Sequence, residues 1–126
     1  MLMSGQDYRE SLRHYKPRVF INGRLIESVV DEPLLAPGVN GVALTYDFAL
    51  CEDHAPLMRA SRPDFASGQP VNRMIAIPAS TDDLLNKLEA VRLVCQETGC
   101  AQRYLGGDAL SAIQQTTRQM DAELNT

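Results

Sequence analysis

The chain has 126 residues, of which 44% are hydrophobic and 22% charged, and its formal net charge is −4. This length fits one compact domain, and the composition is typical of a soluble globular protein. An acidic chain lacks the basic surface that nucleic acid requires, so we expect no nucleic-acid partner. The opening MLMSGQDYRE lacks the apolar segment of a signal peptide, and no run approaches the roughly 20 apolar residues that cross a bilayer. We therefore expect a cytoplasmic protein with no membrane partner.

The cysteines and histidines argue against a metal site made by this chain alone. Cys51, Cys95 and Cys100 are an odd number of thiols, which does not suit a disulfide framework. Together with His14 and His54 they do not give the paired spacing of a zinc site. We expect reduced thiols and no self-contained zinc site.

The N-terminal third predicts a helix followed by a β-hairpin. Ser4 and Asp7 have the spacing of a capping box, so the helix is predicted to begin at about Ser4 and to end at about Tyr15, before Pro17. The extended stretches RVFI and RLIESVV then flank Asn22-Gly23, a dipeptide that favours a type I′ turn. This pattern predicts a small N-terminal hairpin.

The middle of the chain predicts one helix, a long loop and a short strand. The helix is predicted within PGVNGVALTYDFALCED, starting at Pro37. Its predicted buried face consists of Val39, Val42, Tyr46 and Ala49. Residues 53–72 contain three prolines and no sustained period, which predicts a long ordered loop, and RMIAIP predicts a strand.

The last third predicts two further helices. STDDLLNKLEAVRLVCQETG is predicted to be helical, with either Ser80 or Thr81 as its N-cap. Its predicted core face consists of Leu84, Leu88, Val91 and Cys95. The chain is then predicted to stay helical through CAQRYL, to bend at Gly106-Gly107, and to resume with Asp108 as an N-cap.

The final predicted helix has an apolar face whose repeat continues to the last residues of the sequence. Its members are Leu110, Ile113, Thr117, Met120 and Leu124. No glycine or proline stop signal follows them, so we expect the fold to continue past this point. Summed over the elements, the fold class is mainly α with a small N-terminal β-hairpin.

Two common classes of catalytic motif are missing from the sequence. Neither a phosphate-binding glycine loop nor a serine-hydrolase G-x-S-x-G motif occurs. Arg59, Arg62 and Arg73 bracket the long loop and could bind a phosphate or carboxylate, although an exposed basic loop without a ligand is the favoured interpretation.

Cys100 and Tyr104 are the one pair of residues whose spacing suggests a possible site for chemistry. At i, i+4 they share a helix face about 6 Å apart, where a thiol and a phenol could face a cofactor from another part of a larger protein. From the residues alone, burial of both side chains in a helix packing seam is the favoured interpretation.

Several ordered motifs together resemble a known enzyme family. They are QDYRESLR, PRVFINGRLIESVVDEP, VALTYDFA, NRMIAI, STDDLLNKL and GCAQRYLGGDAL. Their order resembles the N-terminal helical domain of the 4-hydroxyphenylacetate 3-monooxygenase and 4-hydroxybutyryl-CoA dehydratase flavoproteins, more closely the dehydratase and vinylacetyl-CoA isomerase branch. The resemblance implies an acyl-CoA-dehydrogenase-like fold, in which residues 1–126 are the first of three domains.

The resemblance also implies cofactors, partners and site residues. It implies FAD bound between the domains, a homo-oligomer, and further domains or a second chain, with a flavin reductase as partner if the monooxygenase branch applies. Cys100 matches the first cysteine of a C-x-x-x-C pair that binds a [4Fe–4S] cluster in dehydratases, but Tyr104 occupies the second position. A phenol oxygen does not readily replace a thiolate on such a cluster, which argues against the cluster. Gln102 matches a glutamine near the substrate, so Gln102 and Tyr104 are the candidate catalytic residues.

The monooxygenase branch carries an arginine and a tyrosine in this region to hold a phenolic substrate. Gly107 and Ala109 fall at about those positions here. The resemblance therefore implies the N-terminal part of a dehydratase-like or isomerase-like flavoenzyme, with an aromatic monooxygenase or a non-catalytic structural subunit that docks onto a second chain as the alternatives.

Overall fold

The computed structural model describes residues 2–61, 68–99 and 102–124, with the backbone alone for residues 102–106. In chain order the described elements are α1 (Gly5–Tyr15), β1 (Val19–Ile21), β2 (Arg24–Ile26), α2 (Ala36–Leu50), α3 (Ala55–Met58), β3 (Arg59–Ala60), β4 (Val71–Asn72), α4 (Thr81–Thr98) and α5 (Gln102–Leu124). The strands form two separate antiparallel pairs, β1 with β2 and β3 with β4. The predicted class, mainly α with an N-terminal hairpin, is confirmed. None of the described helices is both long and apolar enough to span a membrane.

The predicted capping box at the start of α1 is present. The Asp7 N–H donates to Ser4 Oγ at 3.0 Å, and the Ser4 N–H donates to the Asp7 carboxylate at 2.8 Å. The backbone N–H of Ser4, and then its hydroxyl, hold the pKa of Asp7 below its usual value. The helix ends as predicted before Pro17, because Lys16 adopts a left-handed conformation with φ 42°.

The hairpin is also confirmed, although it is shorter than RLIESVV suggests. Asn22 and Gly23 have φ angles of 50° and 78°, as a type I′ turn requires. The turn pairs Ile21 with Arg24, and β2 ends at Ile26, which is buried.

α1 packs closely on α2 because a glycine lies at the contact. The buried Gly5 donates its N–H to Asp47 Oδ1 at 2.7 Å. One turn further along, the rings of Tyr8 and Tyr46 stack with centroids 5.2 Å apart. A side chain at position 5 would separate the two helices.

Gly5→Ala should therefore destabilise the chain. The added Cβ would lie 2.5 Å from Asp47 Oδ2 and 2.9 Å from the Ala43 carbonyl oxygen. We expect the free energy of unfolding, measured by denaturant titration, to fall by about 1–3 kcal/mol. Gly41→Ala is the matched control, since its Cβ would meet only Thr98 Cγ2, at 3.9 Å. Equal effects of the two substitutions would contradict the close contact at Gly5.

The predicted core face of α2 is right in part. Val39 and Ala49 are buried as predicted, whereas Val42 and Tyr46 are only half-buried. Ala43 and Thr45 lie inside instead, and Thr45 is completely buried. Its hydroxyl donates to the Val42 carbonyl at 2.7 Å, which satisfies the polar group within the helix.

Residues 53–72 are more regular than a long loop. They include α3, β3 and β4, so that prediction is wrong for the described part of the segment. RMIAIP is not a strand either, because Asn72 starts consecutive turns there. Its side-chain oxygen accepts the Met74 N–H at 2.9 Å and its carbonyl accepts the Ile75 N–H at 3.2 Å.

α4 begins as predicted but turns a different face inward. Ser80, not Thr81, is the N-cap, and its hydroxyl accepts the Asp83 N–H at 3.1 Å. The predicted core face is wrong: Leu84 and Leu88 are each 49% exposed, and Val91 and Cys95 are only half-buried. The buried positions of α4 are Lys87, Ala90 and Val94. Relative to the predicted orientation, α4 is rotated about its axis, because Lys87 donates its hydrogen bonds toward the interior. Ala90 and Val94 therefore lie in the core, where they pack with Ala49, Met58 and Met74.

The break between the last two helices lies at Gly99 rather than at Gly106-Gly107. Gly99 caps α4 with a left-handed φ of 60°, and α5 then runs without interruption through both of the later glycines. Asp108 is therefore inside the helix and is not an N-cap. On the predicted apolar face of α5, Ile113, Met120 and Leu124 are exposed at 62%, 52% and 66%.

Gly107→Ala tests this continuity. A Cβ at Gly107 would meet nothing within 4 Å, and its φ lies outside the left-handed region. Replacing a glycine inside a helix should stabilise the chain by about 0.5–1 kcal/mol and raise helicity, measured by thermal unfolding and circular dichroism. A loss of stability would instead support a bend at this position.

Candidate functional site

The three residues singled out from the sequence lie at the start of α5 or just before it. Gln102 and Tyr104 are in the first turn of α5, where the structure describes only the backbone. Cys100 lies outside the described residues. The assignment of Gln102 and Tyr104 to catalysis, and of Cys100 to a metal, therefore stays a prediction.

The described residues do not form a metal centre. Among the side chains that the structure describes, no group of three or more His, Cys, Asp or Glu residues could hold an ion. Cys51 and Cys95 are free thiols and half-buried. His54 is half-buried, and its ring lies against that of Phe48 with centroids 4.4 Å apart.

Two arginines of the predicted basic loop are structural, so an exposed basic loop is the wrong interpretation for them. Arg59 donates to the Ala49 carbonyl at 2.7 Å and to Glu52 at 2.9 Å. Arg73 is 8% exposed, and its guanidinium donates to the carbonyls of Leu57 and Arg59, each at 2.7 Å. Both arginines hold α3, β3 and β4 in place by binding backbone oxygens. Arg62 lies outside the described residues.

Arg73→Lys should destabilise the chain although it keeps the charge. A lysine cannot reproduce the fork of donors that reaches both carbonyls, and a buried carbonyl left without a donor costs about 1–3 kcal/mol. We expect a loss of that size in the free energy of unfolding, measured with denaturant. Arg92→Lys is the control, because the Arg92 side chain is 69% exposed and lies 4.0 Å from Glu89. A similar small effect at both positions would contradict the role of Arg73.

A cleft of about 560 Å³ lies between residues 76–79, α4 and the second half of α5. It is lined by Ala60, Ser61, Arg73, Ala76, Ile77, Pro78, Ala79, Asp83, Lys87, Gln114, Thr117, Arg118 and Asp121. As a candidate binding residue, sequence reasoning singled out only Arg73 among them. The available signal was Lys87, which shares a second helical face with Ala90 and Val94.

Lys87 fixes the geometry of this cleft. It is 6% exposed, and its Nζ donates to the Ala76 carbonyl at 3.0 Å and to Ser111 Oγ at 3.2 Å. Ser111 in turn donates to the Gly107 carbonyl at 2.8 Å. The lysine thus joins three walls: the segment before α4, α4 itself and α5.

The cleft lies toward the N-terminal end of α4. Asp83 lines the cleft and Gly99 caps the other end of the same helix. At 1.5 Å per residue, about 24 Å of helix separates the two positions. The part of the cleft lined by Asp83 is therefore well separated from the C-terminal end of α4.

Comparison with known proteins places this fold. The family model described as 4-hydroxyphenylacetate 3-hydroxylase N terminal matches residues 4–126. The 4-hydroxybutyryl-CoA dehydratase/vinylacetyl-CoA-Delta-isomerase of Clostridium aminobutyricum is 39% identical over 127 residues, covering 100% of this chain and 26% of that protein. The oxygenase component of 4-hydroxyphenylacetate 3-monooxygenase from Geobacillus sp. (strain PA-9) is 27% identical over 112 residues, covering 86% of this chain and 22% of that protein.

Solved structures give the same order of similarity. An oxygen-tolerant archaeal 4-hydroxybutyryl-CoA dehydratase from N. maritimus matches with a TM-score of 0.81 at 38% identity, covering 100% of this chain and 25% of that one. The oxygenase component of 4-hydroxyphenylacetate 3-monooxygenase, solved with FAD and 4-hydroxyphenylacetate, matches with a TM-score of 0.63 at 20% identity, covering 75% of this chain and 19% of that one. The second match shows the shared fold alone.

These matches define the class as the helical N-terminal region of acyl-CoA-dehydrogenase-like enzymes. The chain belongs to the 4-hydroxyphenylacetate 3-hydroxylase N-terminal family. Within that family it resembles the N-terminal part of 4-hydroxybutyryl-CoA dehydratase more closely than the monooxygenase. It spans about a quarter of the length of these relatives.

Proposed function

We propose that residues 1–126 form the N-terminal domain of an FAD-dependent enzyme resembling 4-hydroxybutyryl-CoA dehydratase/vinylacetyl-CoA isomerase, and that they contribute one wall of its flavin and substrate site. The observation that carries the proposal is the 39% identity over the whole chain, together with the TM-score of 0.81 against an archaeal dehydratase. The complete enzyme is cytoplasmic and homo-oligomeric in this proposal.

The uncovered apolar side chains support a role as part of a larger assembly. On α4, Leu84 and Leu88 are each half exposed, and on α5 Ile113 and Leu124 are exposed further. Exposed apolar area of this kind is typical of surfaces that a partner covers. Since the chain spans 26% of its dehydratase relative, the remaining domains or a second chain of the same enzyme are the proposed cover.

The residues at the cluster-binding positions of this chain do not favour a complete [4Fe–4S] cluster. Cys100 would be the first cluster thiolate, but Tyr104 offers an oxygen where the second should be. We therefore propose an enzyme that binds FAD and lacks a complete cluster. FAD, when bound, would supply reversible electron transfer, so that the overall reaction has no net oxidation or reduction. Gln102 and Tyr104 would contact the substrate, Gln102 through its amide and Tyr104 through its hydroxyl.

Migration of the double bond, which needs a flavin and a base, is the reaction that we propose. Isomerisation of a vinylacetyl-CoA requires moving a proton between carbons and does not require loss of a hydroxyl group. The loss of one cluster ligand is therefore more compatible with isomerisation than with dehydration.

The intact enzyme that contains this chain tests the proposal when it is purified without oxygen. We expect bound FAD, little iron, isomerisation of vinylacetyl-CoA followed spectrophotometrically, and no dehydration of 4-hydroxybutyryl-CoA. Tyr104→Cys restores the C-x-x-x-C spacing and should raise the iron content. Tyr15→Cys is the matched control, because Tyr15 is 80% exposed and lies on α1.

Two outcomes would count against the proposal. An enzyme with neither FAD nor isomerase activity would refute it. Iron at full cluster stoichiometry in the wild type would show that Tyr104 does not prevent cluster binding.

An aromatic monooxygenase that receives reduced FAD from a reductase is the second candidate. The family description and the 27% identity to a monooxygenase oxygenase component favour it. Gly107 and Ala109, at the positions where that branch holds its phenolic substrate, count against it. Oxygen uptake that depends on NADH and an added reductase, with a panel of phenols, distinguishes this candidate.

A non-catalytic subunit that docks onto a second chain is the third candidate, and the same uncovered apolar side chains support it. Light scattering, which measures the oligomeric state of the chain and its association with other chains, distinguishes this candidate from the other two. A monomeric chain with no affinity for the remaining domains of the enzyme would exclude it.

A further inference from the structure

The outer face of the β1–β2 hairpin is apolar although it faces solvent. Phe20 and Leu25 are paired across the two strands, on the face opposite to the buried Ile26. Their exposed fractions are 54% and 49%. The solvent face of an antiparallel sheet normally carries polar side chains, and a two-stranded sheet is marginally stable unless another element packs on it. This hairpin face, made of Phe20 and Leu25, therefore has the character of a contact surface.

Basic side chains border the hairpin face. The Arg18 guanidinium lies over the Phe20 ring, 5.6 Å from its centroid, so the cation and the apolar surface are presented together. Arg18 and Lys16 are both exposed. A partner that carries carboxylates beside apolar side chains would complement this combination.

α4 presents a second uncovered apolar surface, with acidic residues at its border. Leu84, Leu85 and Leu88 are 49%, 55% and 49% exposed, and their spacing makes them neighbours on the helix surface. Asp82 precedes Leu85 by three residues and Glu89 follows it by four, so both carboxylates lie next to this leucine face, made of Leu84, Leu85 and Leu88.

The two surfaces belong to parts of the chain with opposite charge. Residues 1–26 contain five basic residues and two acidic ones, whereas residues 81–124 contain seven acidic residues and four basic ones. Glu27, directly after β2, reduces the positive excess without removing it. Contact between two hairpin faces, or between two leucine faces, would bring like charges together. Contact between one of each brings opposite charges together and is favoured.

We propose that the hairpin face of one copy of this chain docks on the leucine face of a second copy, and the reverse, in a two-fold dimer. A closed two-fold arrangement is the commonest among homo-oligomers, and in it each contact between two residues occurs twice. Phe20 and Leu25 then lie against the leucines of the second copy, and Arg18 lies near Asp82 or Glu89 of that copy. The inference rests on the homo-oligomeric form of the proposed function and names the surfaces that make it.

Analytical ultracentrifugation of the 126-residue chain measures this association. We expect a monomer–dimer equilibrium that stops at the dimer, with a dissociation constant between about 1 µM and 1 mM, because the contact surfaces are small. The constant should rise about two- to fivefold between about 50 and 500 mM salt, as expected for exposed ion pairs. Bound FAD and isomerisation by the intact enzyme test the proposed function separately, so either idea can fail without the other.

Variants separate these two surfaces from general exposure of apolar side chains. Phe20→Glu and Leu85→Glu should each weaken association at least about tenfold. Leu124→Glu is the control and should change it by less than about twofold, although Leu124 is 66% exposed. A mixture of the Phe20→Glu and Leu85→Glu chains should recover a mixed dimer, because the first keeps its leucine face and the second keeps its hairpin face. Circular dichroism checks that each variant folds.

Cross-linking by a carbodiimide, which joins an amine to a carboxylate in contact with it, locates the interface. The sequence has two lysines, of which Lys16 is exposed and Lys87 is 6% exposed. In a mixture of isotope-labelled and unlabelled chains, cross-links between copies should join Lys16 to Asp82 or Glu89. The proposal is overturned by a chain that stays monomeric, by growth past the dimer, by equal effects of Phe20→Glu and Leu124→Glu, or by cross-links between copies that do not involve α4.

Discussion

The orientation of α4 depends on one buried ammonium group. Lys87 lies inside the fold because the Ala76 carbonyl and the Ser111 hydroxyl accept its hydrogen bonds. A buried lysine needs such partners, and satisfying them determines which side of the helix is internal. The small residues Ala90 and Val94 then pack in the core, and the larger leucines of the helix remain half exposed. Lys87 also joins α4 to α5 and to the segment before α4, and these three elements line the cleft.

Local features of the fold were predictable because their chemistry is local. The Ser4 and Asp7 capping box and the Asn22-Gly23 turn each depend on neighbouring residues, and the structure has both. The inward face of α4 was not predictable in the same way. Leu84 and Leu88 give the stronger periodic signal, but hydrogen bonds to Lys87 from distant parts of the chain decide the rotation.

Glycines show a second limit of reasoning from sequence. Gly106-Gly107 predicts a bend, yet the bend lies at Gly99, where φ is 60°. A glycine permits a left-handed conformation without requiring it, and tertiary packing determines which glycine uses it. Family membership could be inferred from the order of several motifs. The cleft could not be predicted, because its lining residues are separated in the sequence and only Arg73 was a candidate binding residue.

The β3–β4 pair has a consequence for the two strands that it joins. Ala60 and Val71 are paired side by side, and Arg73 binds the backbone oxygens of Leu57 and Arg59 immediately next to them. Residues 60 and 71 are therefore held next to each other. The β3–β4 pairing and Arg73 hold residues 60 and 71 together, so the closure of the backbone next to α3 is made by residues that flank the intervening segment. A substitution that breaks this closure should therefore disturb β3 and β4 together, because the same backbone oxygens and strand pairing hold both.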